Sequence, residues 1–414
     1  MRYFIFVLAF SLCQESFAKE SVVGEYLVKL KEEFMQTRRD KIRKHLGVKK
    51  IRDLRGPKNW VLVNTNRSLA SLKKNIIVEN AEPNFIFRAE LQPNDTHYLN
   101  QWGLKNTGQA DSDGTKGEAD IDTNVEKAWD TTTGSPSIVV AVIDTGVEYK
   151  YKDLAPNAWI NEREYRGEAD VDDDRNGFVD DIYGYDFVNE DGEPLDDHGH
   201  GSHCAGTIGA RGNDGHGMAG INWQVKIMPV KFLSKDGSGT LAGALEAIKY
   251  AVDNGAKVLS NSWGGGEKSQ ALEDVIKYSH EKGVLFVASA GNDGEDSDRY
   301  PHYPSGYQVP NVISVAALNN KGQVPEWSNF GKETVHLAAP GENILSIANG
   351  GYQSWSGTSM AAPFVSGVAA LSLSMNPNMT GMQIKEKILS SVKKIDAIKN
   401  KVITGGIVDA FGAL

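Results

Sequence analysis

The sequence predicts an α/β protein, in which a parallel sheet carries helices on both faces and follows a smaller α+β unit. From residue 137 onward, uninterrupted apolar runs alternate with amphipathic helical stretches, a pattern typical of a parallel sheet buried on both sides. The chain has 414 residues, too many for one average domain, and its 40% apolar and 24% charged residues are typical of a globular protein. Residues 19–93 contain 17 Lys and Arg against 9 Asp and Glu, a net charge of +8, whereas residues 94–414 contain 26 against 44, a net charge of −18. The sequence therefore predicts two folded units of opposite charge.

Residues 1–18 have the features of a signal peptide. Arg2 precedes the apolar run 3–12, and Ser16-Phe17-Ala18 offers a cleavage site with small residues. The alternative is a membrane anchor, but a span needs about 20 apolar residues and this run is half as long. We expect a secreted protein, extracellular or periplasmic, with no membrane anchor. Cys13 leaves with the signal peptide, so Cys204 is left with no disulfide partner, and stability must come from packing or bound metal.

Residues 19–93 are predicted to form the small α+β unit. The pattern predicts strands at 25–30, 60–63 and 78–86, and a polar helix at 32–45. A basic segment could bind nucleic acid, but the acidic remainder of the chain argues against such a partner and favours an intramolecular complex.

Residues 94–414 are predicted to form the main domain, with a loop-rich segment at 94–134. The apolar runs predict strands at 138–143, 225–232, 258–261, 284–288 and 312–316, and helical spacing predicts helices at 241–252 and 271–280. In sheets of this kind, active residues collect at the carboxyl ends of the strands.

Three motifs contain residues suited to nucleophilic catalysis. Asp144 ends the first strand of the main domain in a VIDTG run, His200 lies in a DHGHGSHCAG run, and Ser359 lies in a GTSMAAP run before an apolar helix. Taken singly, Asp144 could be a turn residue and Ser359 a helix cap. Together they give the chain order Asp, His, Ser, which distinguishes one class of serine hydrolase triad from the others.

These three motifs closely resemble the signatures of the subtilase family. The resemblance extends from about residue 94 onward, and it implies a subtilisin-like fold and a serine endopeptidase. It further implies that Ser359 attacks the peptide carbonyl, that His200 takes and returns the proton, and that Asp144 orients the imidazole. The ASAGN segment resembles the family's oxyanion-hole segment, which assigns the side-chain amide to Asn292.

The resemblance also implies how substrate is held. The NSWGGG segment resembles the family's edge segment, so Ser262, Trp263 and Gly264 are expected to bind an extended peptide as an added strand. Gly264 and Ala290 are expected to line the pocket for the residue before the cut. Arg299 is predicted near the base of that pocket, with a solvated surface arginine as the alternative.

Acidic loops predict structural calcium. The DDDRNGFVDD run places oxygen ligands at alternate positions, as in the first half of an EF-hand loop, but no Glu occupies its twelfth place. We expect an early-closing calcium loop, with a solvated acidic turn as the alternative; its predicted ligands are Asp172, Asp174, Asn176, Phe178, Asp180 and Asp181. A second, weaker site could join Asp95, Asp153 and Asn213, because Asp153 stands where subtilases commonly provide a calcium ligand.

Residues 19–93 resemble the family's inhibitor-type propeptide, most clearly in the VENAEPN run. The resemblance implies a unit that assists folding and then inhibits the active site until autocleavage, expected between residues 88 and 93. The expected partners are protein or peptide substrates and the propeptide itself, and the mature enzyme is expected to be a monomer.

Two other functional classes remain as alternatives. His198, His200 and His203 form an H-x-H-x-x-H pattern, as in some zinc hydrolases, but that motif requires an Asp before its third histidine, where this chain has Ser202. A non-enzymatic relic of the fold is the third class, although every triad and oxyanion position is filled.

Overall fold

The computed structural model describes residues 21–55, 58–86 and 92–414. The chain divides into two compact units, residues 1–89 and 90–414. The predicted signal peptide, Cys13 and residues 88–91 of the predicted cleavage stretch lie outside the described residues.

The first unit is an antiparallel sheet with two helices. Its elements are β1 (Ser21–Leu30), a 3₁₀ turn (Glu32–Phe34), α1 (Arg39–Leu46), β2 (Lys50–Asp53), β3 (Trp60–Asn64), α2 (Leu69–Lys73) and β4 (Val78–Phe85). The strand order β2-β3-β1-β4 gives a split β-α-β arrangement. Alternate residues of β1 and β3 pack into one core with Ile42 and Leu46 of α1.

The prediction for this unit was wrong at three places. The single helix predicted at 32–45 is a 3₁₀ turn followed by α1, because Arg38 between them has an extended backbone and the buried pair Ile42 and Leu46 supports only the second half. The short elements β2 and α2 were not predicted. β2 is an exposed, charged edge strand whose one apolar residue is Ile51.

The second unit is the main domain, and its strands and helices follow each other along the chain. The elements are α3 (Val125–Trp129), β5 (Gly134–Asp144), α4 (Glu162–Tyr165), β6 (Tyr185–Asp186), α5 (His200–Gly209), β7 (Gln224–Lys231), α6 (Leu241–Asp253), β8 (Val258–Asn261), α7 (Gln270–Glu281), β9 (Leu285–Ser289), β10 (Val312–Leu318), β11 (Leu337–Pro340), β12 (Ile344–Ala348), β13 (Gly351–Trp355), α8 (Thr358–Met375), α9 (Gly381–Ser391), β14 (Lys393–Lys394) and β15 (Gly406–Ile407). Short 3₁₀ turns lie at Tyr98–Asn100, Ala155–Asn157 and Asp396–Ile398.

The main sheet is parallel except at one edge. Its strand order is β14-β15-β11-β10-β9-β8-β5-β7-β6, and within it β14 pairs antiparallel with β15. β7 pairs with one side of β5 and the next strand, β8, pairs with the other, so the strand order changes direction at β5. A crevice at the carboxyl ends is expected at such a switch point.

Helices cover both faces of this sheet, as predicted. Val140 and Val142 of β5 pack into one core with α5, α8 and α9, whereas Ala141 and Ile143 pack into another with α6 and α7. The alternation follows from the two-residue period of a strand, and it explains why these strands are apolar throughout.

Within the described part of the chain, α8 is the one helix long and apolar enough to cross a membrane. In the structure, 83% of its apolar window is buried inside the protein. The apolar character of α8 is therefore explained by its position as a buried helix in the core of the main domain.

Candidate active site

Asp144 and His200 meet at the carboxyl edge of the sheet. Asp144 is the last residue of β5 and fully buried, and His200 is the first residue of α5, with a side chain that is 19% exposed. His200 Nδ1 lies 2.7 Å from Asp144 Oδ1, which also accepts a hydrogen bond from the backbone of Thr145. Gly201 allows this approach, since a Cβ there would lie 2.0 Å from the carbonyl oxygen of Gly146.

The carboxylate sets the proton affinity of the imidazole. Burial is the largest single influence on the pKa of His200 and acts to lower it, but the charge and hydrogen bond of Asp144 outweigh burial and raise the pKa above its ordinary value. A raised pKa means that this pair favours the imidazolium that forms when His200 accepts a proton.

Ser359 lies in the first turn of α8, next to the helix that bears His200. Cys204, one turn after His200 on α5, donates to the carbonyl oxygen of Ser359 at 3.4 Å. Ser262 Oγ donates to the same oxygen at 2.9 Å, and Ser359 Oγ donates to the carbonyl of Ser262 at 3.0 Å. The start of α8 is therefore fixed between α5 and the segment that follows β8.

Asn292 lies against the same helix start. Its Oδ1 accepts hydrogen bonds from the backbone N–H and the hydroxyl of Thr358, at 2.8 and 2.9 Å. Because these two hydrogen bonds hold Oδ1 in place, they also fix the orientation of Nδ2. Nδ2 lies 3.8 Å from the place a Cβ on Gly357 would take. The amide and the N-terminus of α8 are thus two donor groups beside Ser359.

The three histidines of the DHGHGSHCAG run have different surroundings. His203 is fully buried, its Nε2 lies 2.9 Å from the carbonyl of Ile344, and burial, followed by the neighbouring His200, lowers its pKa to about 3. Its ring stacks on Trp355. Among the described residues, these histidines form no shared cluster of metal ligands. In the part of the chain that the structure describes, the cluster that contains His200 adds Asp144 and Cys204, and burial raises the pKa of that thiol well above its ordinary value, which keeps it protonated.

Part of the predicted substrate segment lines a cavity of about 690 Å³ together with His200. Ser262, Trp263 and Gly264 contribute to its lining, and so does a second segment at 237–241. Trp263 packs edge-on against Phe232, with ring centres 4.9 Å apart. The cavity therefore adjoins His200, and both polar and apolar residues form its walls.

Ala290 and Arg299 do not line this cavity. Ala290 is fully buried, and its backbone bonds to Val315 and Asn329. The Arg299 side chain is 78% exposed and its Nε lies 3.5 Å from Asp296 Oδ2, which favours the surface alternative. His302, which no sequence motif indicated, also lies outside the lining of this cavity, but its ring lies directly against Gly264.

A buried lysine also went unnoticed in the sequence analysis. Lys231, at the end of β7, is 1% exposed and donates to the carbonyls of Thr145 and Leu233 and to Asp197, each at 2.8 Å. It thereby links the chain after Asp144 to the segment before His200. The available sequence signal was that Lys231 directly follows the apolar run 227–230 at the carboxyl end of a strand.

The predicted calcium loop contains a carboxylate cluster. Glu164, Asp172 and Asp174 each offer an oxygen, and these oxygens lie within 4.8 Å of one another. Glu164 belongs to α4 and was not predicted. Asp180 accepts from the backbone of Asp170, and the oxygens of Asp181 accept from Asn161, Asn176 and Tyr250. Asn176 accepts from the backbone of Phe178. This set of hard oxygen donors fits Ca²⁺, with Glu164 as an additional ligand.

The second predicted site contains two incompletely paired carboxylates. Asp95 and Asp153 are buried, and Oδ1 of each has no hydrogen-bond partner among the described residues. Asp95 Oδ2 accepts from the backbone of Asn213 at 2.7 Å. Asp153 Oδ2 accepts from Met218 and Tyr352, and His216 Nε2 lies 4.0 Å from Asp153 Oδ1. A buried carboxylate oxygen without a partner is unfavourable unless a further donor or a cation meets it, so the single second site that joins Asp95, Asp153 and Asn213 stays a prediction.

Comparisons with known proteins agree with this geometry. A thermophilic serine proteinase of Bacillus sp. (strain AK1) is 35% identical over 380 residues, which cover 90% of this chain and 83% of the relative. Subtilisin-like protease 1 of Plasmodium berghei (strain Anka) is 35% identical over 69% of this chain, which spans about half (50%) of that relative's length. Among solved structures, a protease of Pseudoalteromonas arctica matches with a TM-score of 0.64 and 28% identity, over 78% of this chain and 98% of that one.

The profile of the Subtilase family matches residues 135–412, which include β5, α5 and α8. The matched range therefore includes Asp144, His200 and Ser359 together with most of the parallel sheet. This chain belongs to the subtilase family and is a serine endopeptidase with a subtilisin-like fold.

Proposed function

We propose that this endopeptidase is exported as a zymogen and cleaves peptide bonds through an acyl-enzyme, with Asp144, His200 and Ser359 as its triad. The observation that carries the proposal is the 2.7 Å contact between His200 and a fully buried Asp144 beside the start of α8. A neutral serine hydroxyl is a weak nucleophile and needs an adjacent base that a third group orients.

The proton moves within this arrangement. Asp144 accepts a hydrogen bond from Nδ1–H of His200 and so holds the proton on Nδ1, which leaves Nε2 free to act as the base. Ser359 Oγ gives up its bond to Ser262, transfers its proton to Nε2 and attacks the carbonyl carbon. His200 then donates that proton to the departing amine, and water repeats the sequence to release the acyl group.

The negative oxygen of the intermediate needs preorganised donors. Asn292 Nδ2 and the backbone N–H of Ser359 are the two proposed donors, and the fixed orientation of the Asn292 amide supports this role. Removal of one such donor costs about 10²- to 10³-fold in kcat.

Substrate is proposed to bind as an extended strand along residues 262–264. The cavity lined by this segment and by residues 237–241 then receives the side chains that precede the cut. Gly264 and the backbone of Ala290 and Gly291 are proposed to flank the pocket for the residue immediately before the cut, since the Ala290 side chain itself is fully buried.

Calcium is proposed as a structural ion in the Glu164, Asp172 and Asp174 cluster and, more weakly, at Asp95 and Asp153. Calcium would neutralise carboxylates that otherwise repel one another, and it would replace the stabilisation that a disulfide could have given.

Residues 19–93 are proposed to be an inhibitory propeptide, removed by autocleavage between residues 88 and 93 after export directed by residues 1–18. The match to the Bacillus proteinase supports this proposal, since coverage of 90% of the chain must extend into residues before Asn94.

The test compares the wild-type chain with Ser359→Ala and with Ser354→Ala, a hydroxyl-removing control on β13. We expect a fluorophosphonate probe to label the wild type and the control, but not Ser359→Ala. Peptide hydrolysis should fall about 10⁴-fold or more in Ser359→Ala alone, because no nucleophile remains.

N-terminal sequencing of the mature protein checks the processing site in the same samples. Activity that resists the fluorophosphonate but is lost to a zinc chelator would contradict the triad. Full processing of Ser359→Ala expressed alone would contradict autocleavage.

A further inference from the structure

The imidazole ring of His302 lies against two glycines beside the proposed substrate pocket, Gly264 and Gly291. A Cβ on Gly264 would lie 2.1 Å from His302 Cε1 and 2.5 Å from Nε2. On the other side, a Cβ on Gly291 would lie 2.8 Å from His302 Cδ2. The imidazole ring thus lies in the gap between the segment that follows β8 and the segment that follows β9.

These two segments are the proposed walls of the pocket for the residue before the cut. Gly264 belongs to the segment that pairs with substrate, and Gly291 lies between Ala290 and Asn292. Because the His302 ring contacts both walls, it occupies space in the pocket that a long substrate side chain would need. Neither wall position has a side chain, so the ring of His302 is the bulky group at this place.

The ring is held firmly. His302 Nδ1 lies 3.1 Å from Ser305 Oγ, and the carbonyl oxygen of His302 accepts from Ser305 Oγ at 3.1 Å and from the backbone of Gly306 at 2.7 Å. The next residue, Tyr303, accepts a bond from the backbone of Gly265 at 3.0 Å, which ties this loop to the substrate segment. Moving the ring aside to admit a large side chain would break the Nδ1 contact with Ser305 and disturb a loop that is itself hydrogen-bonded.

The ring is also mainly uncharged at neutral pH. Burial lowers the pKa of His302, and the opposing influence of Asp293 is smaller. A neutral ring offers no charge to an acidic side chain, so size is the property on which this residue acts.

We propose that His302 is the floor of the pocket for the residue before the cut, and that it selects short side chains such as Ala or Ser over aromatic ones. This inference rests on the proposed substrate alignment and goes further by naming the substrate class. It transfers to His302 the role that the sequence analysis gave to Arg299, whose side chain is directed to the surface.

The experiment measures kcat/KM on two peptides that differ only in Ala or Phe before the cut. The wild type should prefer Ala, and His302→Gly should raise the Phe-to-Ala ratio about tenfold or more, because opening an apolar pocket by several atoms changes discrimination by at least that factor. His302→Asn, which is shorter but still polar, should give an intermediate ratio. Tyr300→Ala, an exposed residue of the same loop, is the control and should leave the ratio unchanged.

Fluorophosphonate titration counts active sites in every variant, so a folding defect is separated from a change of preference. A wild type that prefers Phe would overturn the inference, as would an unchanged ratio in both His302 variants with normal titration. So would a shift caused by Arg299→Gly and by neither His302 variant. If no variant is labelled or hydrolyses peptide, the proposed function falls first, and this inference falls with it.

Discussion

At the scale of single residues, the proposed triad makes a prediction about pH, because the charge of Asp144 would determine when His200 can act as a base. The carboxylate is fully buried, and its Oδ2 has no hydrogen-bond partner among the described residues. Few polar groups other than the imidazole therefore screen the negative charge of Asp144. The raised pKa of His200 should therefore be visible in the pH dependence of the reaction rate.

The acid limb of the kcat/KM profile should lie above pH 6.5, the ordinary pKa of histidine. Only neutral His200 accepts the serine proton, so activity appears as the pH rises through its raised pKa. Asp144→Asn removes the charge that raises the pKa, and we expect the acid limb to move to lower pH while kcat falls about 10⁴-fold. Stopped-assay rates at constant ionic strength from pH 5 to 9 check both effects.

Glu193→Gln is the control for this measurement, because Glu193 is an exposed carboxylate of the same region that pairs with Lys150. It should leave the acid limb in place. An acid limb that stays at the same pH in Asp144→Asn would mean that Asp144 does not set the pKa of His200.

The sequence motifs predicted some site residues and missed others for one physical reason. Asp144, His200 and Ser359 lie in runs whose glycines and small residues allow close packing, and such runs are visible in a sequence. Glu164 and His302 lie in segments with no such pattern, and they reach their sites because α4 and the loop after β9 fold back. The tertiary path of the chain determines their positions, and a local sequence pattern carries no information about that path.

At the scale of elements, burial explains which predictions were confirmed. The strands β5, β7, β8, β9 and β10 are apolar on both faces, and their bounds agree with prediction within a few residues. β2 has one apolar residue, and α2 has five residues in all. Such short surface elements are stabilised by their neighbours more than by their own pattern, so local sequence predicts them poorly.

The loop between α4 and β6 is the element in which the proposed calcium would have the clearest effect on stability. Glu164 is buried, and it accepts backbone bonds from Asp174 and Asp180 while its oxygen lies close to those of Asp172 and Asp174. A cation held there adds about 2.7 kcal/mol to the free energy of unfolding when free calcium is 100-fold above its Kd. We therefore expect EDTA to lower the melting temperature by several degrees.

The measurement is made in the Ser359→Ala background, because autolysis would otherwise hide the melting transition. Glu164→Gln should weaken calcium binding about tenfold and reduce the shift in melting temperature. Glu168→Gln removes an exposed carboxylate from the same loop and should leave the shift unchanged. Equal shifts in the two variants would place the stabilising ion elsewhere, with Asp95 and Asp153 as the next pair to vary.

At the scale of the whole molecule, the two units carry opposite charge. Residues 19–93 have a net charge of +8 and residues 94–414 a net charge of −18. Two units with net charges this large and opposite in sign attract each other. The range of this attraction shortens as the ionic strength rises. The proposed inhibition by the propeptide should therefore depend on salt after the connecting peptide bond has been cut.

We expect the cleaved propeptide to remain bound at 0.01 M ionic strength and to separate at 1 M, since the Debye length falls from about 30 Å to about 3 Å. Peptide hydrolysis should rise as the fragment leaves, and size-exclusion chromatography at both ionic strengths follows the two parts. The double variant Lys41→Glu, Lys44→Glu changes two exposed residues of α1 and lowers the net charge of this unit from +8 to +4. It should release the fragment at lower salt than the charge-preserving control Lys41→Arg, Lys44→Arg. If both variants and the wild type release it at the same ionic strength, apolar contacts hold the propeptide, and the opposite charges serve only to speed its docking.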